Sequence, residues 1–163
     1  LAAAIPEETR YTDPDLALPA DPAEIDDAAF ARVRAALASL QALDETAMRR
    51  WFGRFITQYR SAGELARPAR APSLDAAADT LAKGGRLLRH PHARHAWARE
   101  GKRARLHANG LGYAMGVASA RLLAGADVLD AQALASLDAD GRAALQALLA
   151  QGHYHLEKPS RRR

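Results

Sequence analysis

The 163-residue chain contains no cysteine. This excludes a disulfide framework and any thiolate metal site, and it is the usage of a reducing, cytoplasmic compartment. Aromatic residues are scarce, with two Trp, four Tyr and three Phe, so the apolar content rests largely on alanine and supports only a thin core. Long apolar runs are missing as well. No stretch approaches the ~18 residues of a membrane span, and residues 1–15 are too short and too acidic for a signal peptide. Leu1 rather than Met opens the chain, as in a segment of a longer polypeptide.

Catalytic patterns are also lacking. Ser39, Ser73 and Ser119 fall at helix caps or inside helices, so no nucleophile elbow is present. Gly110, Gly112 and Gly116 give G-x-G-x-x-x-G, one residue out of register with the dinucleotide fingerprint and without a βαβ context. These glycines read as a flexible turn before a helix. His90, His92 and His95 are dense in imidazole, yet Pro91 interrupts them and only Glu100 supplies a nearby carboxylate. A metal centre needs three or four convergent ligands, so exposed turn histidines are the expectation. His155-Leu156-Glu157 has the spacing of two facial-triad ligands but reads as accidental. No catalytic, cofactor-binding or metal residue is assigned.

The formal charge of +4 hides an uneven distribution. Residues 1–66 hold seven Arg against eleven acids, whereas residues 86–107 hold seven Lys/Arg against Glu100 alone, with four His. Residues 108–157 are again acidic, and the tail 158–163 is basic. A basic segment of this kind steers nucleic acid or forms a solvated hairpin. The candidates for RNA or protein contact are Arg86, Arg89, Arg94, Arg103 and Arg105.

The richest stretch is residues 48–59. Met48, Trp51, Phe52, Phe55, Ile56 and Tyr59 recur at i, i+3, i+4, i+7, i+8 and i+11, one stripe of an α-helix. Arg49, Arg50, Arg54 and Arg60 lie opposite. The stripe fits the core of its own domain or a face against a second copy of the chain. A helix before it starts at Asp21-Pro22-Ala23-Glu24, with Asp as N-cap and Pro at the first helical position. It turns Ile25, Phe30, Val33, Leu37 and Leu40 inward, and Asp44 caps the aromatic helix.

The remaining organisation follows from punctuation. Residues 1–20, with Pro6, Pro14 and Pro19, read as an extended arm; 21–62 as a helical region; and 63–73 as a linker and domain boundary. Residues 74–157 form a second domain and 158–163 a basic tail. Ser73 caps a helix to Lys83 that Gly84-Gly85 stops. Near-alternating segments 86–90, 95–99 and 103–107 predict strands, with Gly101 and Asn109-Gly110 as turns. Helices are predicted at Val117–Ala124, Leu129–Leu137 and Asp140–Gln151, and a last strand at His153–Glu157. Trp97 is read as a core residue. The fold class is α+β, mostly helical, with a small winged-helix-like second domain.

Tyr11-Thr12-Asp13-Pro14-Asp15, followed by Trp51-Phe52-Gly53-Arg54-Phe55-Ile56-Thr57-Gln58, resembles the C-terminal half of bacterial ribosomal oxygenases. These are the JmjC/cupin-type, YcfD-like ribosomal-protein arginine hydroxylases. The resemblance continues through Arg105–Gly110 and ends near Leu149–Tyr154. It implies a helical dimerisation region, here Met48, Trp51, Phe52, Phe55, Ile56 and Tyr59, followed by a winged-helix domain in a homodimer. It implies further that an upstream JmjC domain binds Fe(II) and 2-oxoglutarate and hydroxylates an arginine of a large-subunit ribosomal protein. The H-x-D…H triad of such enzymes is absent here, so this chain alone is expected to be inactive. The family's winged-helix domain is usually acidic, and the basic segment 86–107 departs from that. The alternative is a free-standing nucleic-acid-binding or protein-interaction module using that segment, with ribosomal RNA as one contact.

Overall fold

The structure, a computed structural model, describes Ala31, Arg34, Ala35, Ala38 and residues 44–58 and 65–159. The arm 1–20, Tyr59, most of the first helix and the end of the tail lie outside the described residues. By Cα proximity the chain divides into two compact units, Leu1–Phe52 and Gly53–Arg163. The expected division lay in the proline-rich linker 63–73. Gly53 and Thr57, at the end of the aromatic helix, fall within the second unit.

In the first unit Ala31, Arg34, Ala35 and Ala38 are helical. Helix α1 spans Glu45–Thr57. Asp44 caps it as expected, its Oδ1 accepting from the Ala47 N–H at 2.8 Å. Glu45 adds a first-turn carboxylate where the helix dipole favours one, and Arg49 Nε donates to it at 2.9 Å across one turn.

The second unit carries helices α2 (Leu74–Ala82), α3 (Val117–Gly125), α4 (Ala131–Ser136) and α5 (Ala139–Ala150). Its strands are β1 (Arg86–Arg89), β2 (His95–Glu100), β3 (Arg103–Ala108), β4 (Leu111–Met115), β5 (Val128–Leu129) and β6 (Tyr154–Glu157). They form two three-stranded sheets of order β5-β1-β6 and β2-β3-β4. All pairings are antiparallel.

Local chemistry explains most boundaries. Ser73 caps α2, its hydroxyl accepting from Ala76 N. Asp130 caps α4 and Asp138 caps α5 in the same manner. Asn109 and Gly110 both have positive φ, 43° and 84°, as the turn of a two-residue hairpin whose twist matches its strands requires. That hairpin joins β3 to β4, so Gly112 lies in a strand. The expected flexible turn before a helix is thereby corrected. A helix beginning at Leu129 is corrected too: Leu129 pairs with Leu87 in β5, and the helix begins only after the Asp130 cap.

The core lies between the sheets and the helices. Leu87, Leu106, Met115, Leu123, Leu129, Leu145, Leu148 and Leu149 are fully buried. Leu145, Leu148 and Leu149 supply α5's inward stripe by their i, i+3, i+4 spacing. Trp97 is half-buried beside this core, with the Arg121 guanidinium 5.5 Å from its ring centroid. No helix among the described residues is long and apolar enough to cross a membrane.

Candidate functional site

Helix α1 is built as a one-sided apolar surface, and most of that surface is uncovered. Phe52, Phe55 and Ile56 are 53%, 56% and 46% exposed, while Met48 and Trp51 are half-buried. Trp51 and Phe52 stand as a tilted ring pair, 6.5 Å between centroids. Three large apolar side chains at i, i+3 and i+4 facing solvent form the kind of contiguous patch that marks an interaction surface.

The end of α1 is fixed in the second unit by two small residues. Gly53 is buried against the imidazole of His107: a Cβ there would stand 2.6 Å from Cε1 and closer still to two other ring atoms. Thr57 is buried, donates its hydroxyl to the Gly53 carbonyl at 2.9 Å, and accepts the Gly110 N–H at 3.1 Å. The β3–β4 turn is therefore tied to the helix carrying Phe55 and Ile56. No pattern in the sequence announced this junction, because neither glycine nor threonine belongs to the apolar stripe.

The basic segment is less cationic in space than in sequence. Arg105 forms a two-pronged pair with Glu100, at 2.8 and 3.2 Å. Arg103 pairs with Asp140. Arg89 pairs with Asp127 and also donates to the Ala124 carbonyl at 2.8 Å. Arg86 stands opposite Glu157 across the β1–β6 ladder. Arg86, Arg94 and Arg103 are exposed. Candidates close in sequence are thus spread over both sheets, and carboxylates from distant segments meet several of them.

The histidines also differ from the exposed turn residues expected. His90 and His92 do flank the Pro91 turn, with the His92 N–H donating to His90 Nδ1 at 3.1 Å. His95, however, is half-buried in β2. Its Nδ1 donates to the Leu123 carbonyl at 2.9 Å, and its Nε2 accepts from His153 Nδ1 at 3.0 Å. The Tyr154 hydroxyl donates to the same carbonyl at 3.2 Å. Burial, and for His95 the nearby Arg89 charge, lowers its pKa to about 4 although the Leu123 hydrogen bond opposes the shift. His153 falls to about 4 through burial and the neighbouring His95 and His90. Burial likewise drives the Tyr154 hydroxyl above its usual range, with Asp127 adding to the rise and Arg89 opposing it.

A metal centre was tested on the donor set. Among the described residues no three His, Cys, Asp or Glu side chains converge as ligands, and no H-x-D occurs in the sequence. His155 and Glu157 are both exposed on β6. The described residues therefore do not fit an iron site.

Helices packed on two small antiparallel sheets define a domain of winged-helix type. The ROXA-like winged helix model matches residues 26–155, and the chain belongs to that family. Among solved structures, that of YcfD from Escherichia coli is 28% identical, with a TM-score of 0.59 over 90% of this chain. YcfD, described as a ribosomal oxygenase, was also solved with cobalt and succinic acid and with cobalt and 2-oxoglutarate, at 28% and 27% identity. The chain spans 39–40% of YcfD's length. No curated protein matches the chain.

Proposed function

We propose that this chain is the dimerisation and winged-helix region of a 2-oxoglutarate- and Fe(II)-dependent oxygenase. The substrate in this reading is a side chain, an arginine, of a large-subunit ribosomal protein. The observation that carries the reading is the 28%-identical match to a ribosomal oxygenase over 90% of the chain. Iron and 2-oxoglutarate belong, on this reading, to a JmjC domain joined to the region, and the protein acts in the cytoplasm, where ribosomes are found. The chain's own part is physical: it pairs two copies and presents a winged-helix domain beside each catalytic domain.

The uncovered face of α1 supports the pairing. Burying Phe52, Phe55 and Ile56 would contribute roughly 1.5–3 kcal/mol per side chain, and a two-fold axis doubles the set. Phe52→Glu with Phe55→Glu is expected to convert a dimer to a folded monomer, read by light scattering on a sizing column. An unchanged dimer would remove α1 as the interface. The oxygenase reading is tested by the mass of the native polypeptide in its own cells. A species much heavier than 17.5 kDa that hydroxylates a ribosomal protein supports it; a species of this mass without that activity rejects it.

The excess of Lys and Arg over residues 86–107 favours one alternative, contact with ribosomal RNA. Affinity for RNA would then fall steeply with salt, by about 0.7 to 0.9 log units per log unit of salt for each phosphate neutralised.

A further inference from the structure

A groove of about 760 Å³ runs beside β6, bordered by Ala66, Pro68, Arg70 and Pro72 on one side and by Tyr154, His155 and Leu156 on the other. Among the described residues β6 is the last strand of its sheet, pairing only with β1. Tyr154 is buried and His155 is exposed, so their side chains leave opposite faces of the strand. Both nevertheless border the groove. It therefore follows the strand's free edge, where alternate backbone N–H and C=O groups point away from β1.

The opposite wall is ill suited to fill that edge. Pro68 and Pro72 have no N–H to donate, and among the described residues no backbone hydrogen bond joins 66–72 to β6. The wall is nonetheless fixed in place. Gln146 donates to the Pro72 carbonyl at 3.2 Å and accepts from Leu74 N at 2.7 Å. At the other end, Gly152 lies so close to the Ala66 carbonyl that a Cβ would stand 2.5 Å from it. The result is a slot with one hydrogen-bonding wall, one proline-rich wall and a closed end.

Arg70 supplies a formal positive charge at the groove's border, His90 and His155 add imidazole rings, and no carboxylate borders it among the described residues. Ala71, Ala76 and Leu156 add apolar surface to the lining, and Ser73 a hydroxyl. We infer that this groove binds an extended acidic peptide of a partner protein, which adds to β6 as a fourth strand of the β5-β1-β6 sheet. Backbone hydrogen bonds would supply affinity, and the Arg70 guanidinium would select for carboxylates. The inference goes beyond the oxygenase reading and is independent of it, since it uses neither α1 nor a catalytic domain.

The test uses the 163-residue chain and two probes, an acetylated heptapeptide of alternating glutamate and valine and the same peptide with lysine for glutamate. Amide resonances are followed by NMR during titration. The expected result is saturable movement of the Tyr154–Glu157 amides with the glutamate peptide alone. Arg70→Glu, an exposed substitution, is expected to weaken that binding about three- to fivefold, the scale of one solvent-facing charge pair. Still β6 amides under the glutamate peptide, or equal movement with the lysine peptide, would overturn the inference. So would β6 shifts that grow with protein concentration when no peptide is added, since a second copy would then occupy the edge.

Discussion

His95 and His153 hold each other neutral. Leu123 accepts the His95 Nδ1 proton, which leaves Nε2 as the acceptor for His153. Adding a proton to His95 Nε2 would set two N–H groups against one another at 3.0 Å. Both pKa values lie near 4, against 6.5 for a free histidine. The unfolded chain therefore takes up protons near pH 6.5 that the folded chain refuses until about 4. Their contribution to stability is complete above pH 6.5 and is lost as pH falls from there toward 4, by about 1.4 kcal/mol per pH unit for each proton. Urea midpoints measured across that range should fall steadily, and His95→Gln should roughly halve the slope; a flat profile would contradict the buried pair. At the same scale, Gly53→Ala drives a methyl group into the His107 ring. Backbone and imidazole are both buried there, so the expected loss is about 1–3 kcal/mol, read as a lower thermal midpoint.

Asp138 shows how one side chain joins several elements. Its Oδ1 accepts from Gly141 N and its Oδ2 from Gly116 N, each at 2.7 Å, while its own N–H donates to the Ser119 hydroxyl at 3.0 Å. Desolvation pushes its carboxyl up, but the Gly141 and Gly116 amides, Ser119 and the Arg103 charge together hold it below the usual carboxylate value. Asp138→Ala removes the α5 cap and releases the turn before α3. The expected cost is about 1–2 kcal/mol, and Asp138→Asn should recover part of it in chemical denaturation. Thr57→Val tests the junction between α1 and the β3–β4 turn. It deletes the acceptor of the Gly110 N–H while keeping the shape, at an expected cost of about 1–3 kcal/mol. Hydrogen exchange at Gly110 should speed up first.

Across the whole molecule, the sequence set the elements and the tertiary structure set their partners. The capping residues Asp44 and Ser73, the Asn109-Gly110 turn and the one-sided stripe of α1 were all legible, because each acts within a few residues of itself. The motifs pointing to the family lie in consecutive stretches and were legible for the same reason. The basic segment was legible as composition and misleading as a surface. Its arginines meet Asp127 and Asp140 from elements remote in the chain, and no local pattern encodes an encounter that depends on sheet order. The same holds for the buried pair of His95 and His153, the seat of Gly53 on His107, and the groove along β6. Each joins residues far apart in sequence, and only the packing of sheets, helices and loops on one another brings them within hydrogen-bonding or van der Waals reach.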